Sequence, residues 1–247
     1  MPKIPVKLQH DTIVEAIFEI RFTSNKTPIA DLLPGLLFSH IQKDFPSIER
    51  LPVTSLPSEI IQADPNLRYA PQHRLVGNKY SLLIGEHVFA ISCPKPYSGW
   101  KEFCPTILKL TELLGNTGLI SKVERFSLRY VNLIPTGANS DLSAKLKSEL
   151  RLGSHNLNDK STQIRTEVLE NDLLNVIKVV AGTTIELVTG EKIQGCLFDV
   201  DTICQQKLEN FWKELPSLLE RAHTTEKQIF FGILNDETIK ELGPIWN

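Results

Sequence analysis

The 247-residue sequence lacks most of the signatures from which chemistry is read directly. It holds no uninterrupted apolar run of about 18 residues, which is what a membrane-crossing helix needs. Its opening stretch MPKIPVKLQHD carries no apolar signal segment. The expectation is therefore a soluble, cytoplasmic protein without a membrane partner. The four cysteines, Cys93, Cys104, Cys196 and Cys204, form no CxxC pair, and the shortest interval, Cys196 to Cys204, brackets a strand pattern rather than a metal-binding turn. No metal site is expected from such spacing, and free, mostly buried thiols are what a reducing compartment leaves. The six histidines are scattered, with no HExxH or HxH pairing. No glycine-rich phosphate loop, GxSxG elbow, kinase or nuclease signature occurs, and no cofactor is expected. A net charge of -2 and a pI near 6.3 argue against a chain whose main task is neutralising phosphates.

What the chain does contain is alternation. From Val123 to Ile134 the residues Val123, Arg125, Ser127, Arg129, Val131 and Leu133 share one face of an extended segment, and Glu124, Phe126, Leu128, Tyr130, Asn132 and Ile134 share the other. Neither face is purely polar, so the segment reads as a central strand that Pro135 closes. Arg125 and Arg129 stand roughly 13 Å apart on it and need separate partners. A second strand, IVEAIFEIRF at 13–22, offers them: Glu15, Glu19 and Arg21 lie opposite the apolar face of Val14, Ala16, Phe18, Ile20 and Phe22. If the strands pair, Glu15 or Glu19 opposes Arg125 or Arg129, each such pair contributing roughly 0.2 to 1 kcal/mol. The competing reading is a charged-ligand or acid/base site built from the same four residues.

Along the chain, residues 29–45 carry the spacing of an amphipathic helix, with Pro34 fitting its first turn if the body begins near 32 or 33. Residues 48–63 hold two prolines and read as an edge strand or irregular crossing. Strand patterns follow at 67–75, in KYSLLIG and in VFAISC, joined by tight turns into a meander. A helix over 100–114 stops at Gly115-Asn116 and feeds the central strand. Beyond a boundary at 136–140, Ser140 or Asp141 is placed to cap a short helix, DLSAKLKSELRL, and a polar loop follows. Four strand patterns come next: QIRTEVLE, LLNVIKVVA, TTIELVTG and QGCLFDVDTIC, with turns at Asn171-Asp172 and Gly182-Thr183. A long apolar helical stripe from Leu208 to Ala222 closes the chain, with Pro216 expected to kink it or cap its second segment, and Asn235 or Asp236 starts a last short helix.

These elements specify an α+β fold: antiparallel sheets with flanking helices, arranged as two similar helix-and-meander halves packed as one unit, 1–136 and 137–247, or as one continuous curved sheet with helices on its concave side. Asp199 and Asp201 share one strand face and would bind a divalent cation given a third oxygen ligand, although facing solvent or pairing with Lys and Arg is the commoner arrangement.

Three stretches carry a family resemblance: IVEAIFEIRF at 13–22, RYVNLI at 129–134, and LFDVD at 197–201 followed by His223 and FGILNDETI at 231–239. In these the chain resembles a sporadically distributed prokaryotic family of proteins of about this length with no established biochemical activity. The resemblance spans nearly the whole chain. It implies one family unit, and a patchy distribution of the kind typical of genes in defence or toxin-antitoxin cassettes.

Three functions compete. The first is a non-enzymatic interaction or regulatory subunit whose partner is another protein encoded by a neighbouring gene, or a second copy of itself. The second is a hydrolytic or nucleic-acid-processing enzyme using Glu15, Glu19, Arg125 and Arg129, or Asp199 and Asp201 with His223. The third is a nucleic-acid binder with Arg68, Arg74 and Lys79 along the meander and Tyr69 and Tyr80 interleaved for base stacking.

Overall fold

The computed structural model describes residues 4–26, 28–65, 67–136, 142, 144–148, 150–157, 162–186, 190, 192–206 and 208–246, with only the backbone of Ser58, Gln62, Leu152 and Asn156. In chain order the elements begin with β1 (Lys7–Leu8), β2 (Ile13–Thr23), α1 (Ile29–Ile41) and β3 (Ser47–Arg50). A short 3-10 turn at Pro52–Ser55 precedes α2 (Ser58–Ala63), β4 (His73–Val76), β5 (Ser81–Ile84), β6 (Val88–Pro94) and α3 (Trp100–Asn116). The second part holds β7 (Lys122–Pro135), β8 (Arg151–Leu152), β9 (His155–Asn156), β10 (Gln163–Glu170), β11 (Leu173–Glu186) and β12 (Lys192–Cys204). Last come α4 (Phe211–Ile233), α5 (Asp236–Glu241) and β13 (Pro244–Ile245).

The fold is α+β, and its main sheet is antiparallel with nine strands in the order β10-β11-β12-β7-β2-β6-β5-β4-β3. Contacts divide the chain into two compact units. Unit 1 comprises Met1–Glu15, Arg129–Thr202 and Arg221–Asn247; unit 2 comprises Ala16–Leu128 and Ile203–Glu220. The units interleave along the chain.

The core of unit 1 follows from the period of its elements. Ile177, Val179 and Ala181 alternate on β11, as do Cys196, Phe198 and Val200 on β12, and Ile229 and Phe230 of α4 join the same buried cluster. Phe198 and Phe230 meet edge to face, with ring centroids 6.3 Å apart. Two buried polar pairs sit within this unit: Thr12 Oγ1 donates to Asn132 Oδ1 at 2.8 Å, and Thr202 Oγ1 donates to Asn175 Oδ1 at 2.8 Å. In unit 2, Phe126 of β7 packs its ring between Phe18 of β2 (6.2 Å) and Phe211 of α4 (5.9 Å). The four cysteines are buried thiols.

Several local expectations are corrected. Helix α1 begins at Ile29, so Pro34 lies in its interior rather than its first turn. The early start is supported from outside: Glu86 Oε2 accepts the Ala30 N–H at 3.1 Å, satisfying a donor that Pro28 has no side chain to cap. The edge strand expected over 48–63 is present only over 48–50, the end of β3, which closes one end of the sheet order; the 3-10 turn and α2 occupy most of the rest. The strand expected at 67–75 is confined to His73–Val76. Helix α4 runs unbroken through Pro216.

Two corrections lie in unit 1. No helix forms over DLSAKLKSELRL among the described residues; Ser140 and Asp141, the expected caps, lie outside them. Instead Leu142 and Leu146 bury, Leu146 bridges Leu234, and the Ala144 carbonyl accepts from Asn235 Nδ2 and Thr238 Oγ1. Tertiary partners thus satisfy the backbone that a helix would have satisfied locally. Gly182 does not turn the chain either. With φ of 65° it sits inside the single long strand β11, where only glycine takes that conformation without steric cost.

Candidate functional site

In unit 2 the polar face of β2 and β7 carries a charge cluster. Glu19 Oε1 accepts from Arg21 Nε at 2.8 Å and from Arg125 Nη2 at 3.2 Å, so one carboxylate oxygen bridges two guanidinium groups. Arg21 also lies over the Tyr69 ring, 4.3 Å from its centroid, with Arg68 at 5.4 Å. Tyr69 Oη donates to Glu124 Oε2 at 3.2 Å. Arg21, Tyr69, Glu124, Arg125 and Gln205 enclose a hollow of about 220 Å³. Glu124 and Gln205 also border a larger hollow of about 420 Å³, walled by Val123, Leu208, Phe211 and Trp212. That volume falls in the range of small-molecule sites. Trp212 is 40% exposed, and its ring is held in place by Gly115, where an added Cβ would stand 3.2 Å from it, and by the Phe211 ring at 5.2 Å.

In unit 1, Arg129 Nε and Nη2 donate to Asp199 Oδ1 and Oδ2 at 2.7 Å each, a bidentate fork on a carboxylate that is 4% exposed. Lys178 Nζ stands 3.7 Å from Asp199 Oδ2. The Arg129 guanidinium is held above its ordinary pKa, first by the hydrogen bonds to Asp199 and then by the charges of Asp199, Asp201 and Glu15, against the effect of burial. Of the pairings expected for the two strands, Glu19 with Arg125 forms. Arg129 takes Asp199 instead, and the Glu15 charge acts on it as well. Glu15 and Arg129 belong to unit 1, Glu19 and Arg125 to unit 2. No family model and no curated protein matches the chain.

The Asp/His grouping does not come together as one set. Tyr130, adjacent to Arg129 on β7, places its Oη 3.3 Å from His223 Nδ1, so His223 meets the strand on the face opposite the Arg129–Asp199 fork. Burial, then the Lys227 charge, push the His223 pKa down to about 3, which leaves the imidazole neutral. One turn further along α4, Glu226 is 4% exposed, and burial raises its carboxyl to about 8, against the opposing pull of Lys227. The Lys227 ammonium is itself lowered by desolvation and donates to the Pro5 carbonyl at 3.0 Å. Among the described residues no group of three or more His, Cys, Asp or Glu could hold a metal ion.

The meander residues are engaged in local contacts. Tyr80 stacks on Phe103 at 5.9 Å with rings 12° apart and donates to Ser98 Oγ at 2.8 Å. Lys79 pairs with Glu102 at 2.6 Å, and Arg74 donates through Nε and Nη2 to Ser81 Oγ at 3.2 Å. One face of Tyr80 is therefore covered by Phe103, and Tyr69 sits beneath Arg21.

Sequence reasoning missed Arg21, Tyr69, Glu124, Gln205 and Trp212 as neighbours, and Glu226 altogether. A signal for Glu226 was present: it follows Ala222 by four residues and precedes Phe230 by four, so it lies on the buried stripe of α4.

Proposed function

We propose that the protein is a non-enzymatic interaction or regulatory subunit that acts through a partner protein encoded nearby. The observation that carries this reading is the pairing of its strand charges with one another. Glu19 is shared by Arg21 and Arg125, and Asp199 is gripped by Arg129 with Lys178 beside it. Groups committed to each other in this way are stiff struts, and recruiting one for proton transfer would require breaking a charge-assisted bond. The family resemblance supports a setting in a prokaryotic defence or toxin-antitoxin locus. Co-expression with the product of each adjacent gene, followed by sizing chromatography at micromolar concentration, tests the proposal. Co-elution with one of them is expected, and separate elution of all of them overturns it.

A second reading has its own observation, the hollow of about 420 Å³ beside the half-exposed Trp212 ring. A rigid aromatic wall flanked by Lys122, Glu124 and Glu209 suits a small planar ligand carrying both polar and apolar groups. Tryptophan fluorescence titrated with a panel of nucleotides and amino acids tests it. Saturable quenching in the native chain that is lost in Trp212→Phe supports the site, and no change across the panel removes it.

A further inference from the structure

Strand β10 lies at one end of the sheet order, and among the described residues no strand lies beyond it. It pairs along its whole length with β11, from Gln163↔Val180 to Glu170↔Leu173, and every residue except Ile164 is exposed. The phase of this ladder is fixed by the Ala181 N–H, which donates to the Thr162 carbonyl at 2.9 Å. In an antiparallel pair, residues alternate between turning both backbone groups toward the neighbour and turning both away. Ile164, Thr166 and Val168 therefore bond to β11, while Gln163, Arg165, Glu167 and Leu169 direct their N–H and C=O groups outward.

Open edges are commonly kept apart by charge, and Arg165 and Glu167, joined at 2.6 Å, are charged residues at such an edge. Their order, however, is symmetric in a particular way. Around Thr166 the strand reads Ile164, Arg165, Thr166, Glu167, Val168. A strand of this pattern turned end for end meets itself with opposite charges and apolar groups aligned.

We infer that β10 pairs with β10 of a second copy of this chain, antiparallel about a two-fold axis at Thr166. Arg165 then stands opposite the partner's Glu167, and Glu167 opposite the partner's Arg165. These outward-facing residues exchange both backbone hydrogen bonds, as do Gln163 and the partner's Leu169. Ile164 meets the partner's Val168 on the face where Ile164 already packs against the unit 1 core, and this covers Val168, which is 37% exposed. Leu169, 75% exposed, gains a strand beside it. Moving the axis one residue, to Arg165 or Glu167, would set like charges directly opposite, which is destabilising. Charge thus selects the register and names the occupant, because another chain would need the same mirrored order.

Sedimentation or light scattering of the full chain, with charge exchange at this edge, tests the inference. The native protein is expected to show twice the 27.9 kDa chain mass. Arg165→Glu alone and Glu167→Arg alone should each revert to the single-chain mass, since each sets like charges opposite one another. Mixing the two variants should restore the doubled mass, and so should the double variant Arg165→Glu with Glu167→Arg, which also guards against a folding defect in either single change. The register is read separately by Thr166→Cys, expected to cross-link two copies under oxidation while Arg165→Cys does not. A native chain at 27.9 kDa across the accessible concentration range, or single variants that stay paired, overturns the proposal.

Discussion

The buried acid on α4 yields the sharpest quantitative expectation. Glu226 is 4% exposed, and its carboxyl is raised from the ordinary 4.5 to about 8 by desolvation. Between those two values the folded protein holds a proton that the unfolded chain has released, so stability falls as pH rises through this window. At about 1.4 kcal/mol per pH unit the full cost of carrying the ionised group is about 5 kcal/mol. His223 acts in the opposite sense. Lowered from 6.5 to about 3, it binds fewer protons folded than unfolded, and stability is lost as pH falls below 6.5. The two slopes cancel between 4.5 and 6.5, leaving a plateau with an acid limb set by His223 and an alkaline limb set by Glu226. Glu226→Gln keeps the shape and removes the charge. Urea denaturation at intervals from about pH 5 to about pH 8 should show this variant gaining on the native chain by about 3 to 4 kcal/mol across the range. A stability difference that stays constant with pH would refute the reasoning, because it would mean that Glu226 titrates alike in both states.

Arg129→Met is expected to cost about 3 to 5 kcal/mol at neutral pH, since it leaves the buried Asp199 carboxylate without its fork; pairing it with Asp199→Asn should recover most of the loss, and chemical denaturation measures both. Gly195→Ala should lower stability by about 1 to 3 kcal/mol, because its Cβ would collide with the backbone carbonyl oxygen of Ile134; thermal denaturation reads the effect. Asn235→Ala removes the side chain that accepts the Thr238 N–H at 2.7 Å and caps α5, for a loss of about 1 kcal/mol by the same measurement.

Where the sequence was read correctly, the controlling interactions are local or periodic. Strands β2, β7 and β12 announce themselves by alternation, α3 by its stripe, although it runs through Gly115-Asn116 and is capped at Thr117, and the β10–β11 hairpin by Asn171-Asp172, both of which adopt positive φ (53° and 61°). Where the reading departed from the fold, a distant group had replaced a local one. Glu86 caps a helix that its own flanking residue could not, and Asn235 and Thr238 bind a carbonyl that a short helix was expected to hold.

The site shows the same division. Alternation alone put Glu19 and Arg125 on strand faces where they would need opposite charges, and it put Asp199 and Asp201 together on another. It could not say that β7 lies between β2 and β12. That adjacency gives Arg129 to Asp199, 70 residues away along the chain. Composition and period determined that this chain folds as α+β with antiparallel strands, because each residue's own geometry suffices for that. Which charge neutralises which, which carboxyl is buried and protonated, and which strand is left at the edge depended on the order of strands in the sheet. Only the packing of segments far apart in sequence decides that order.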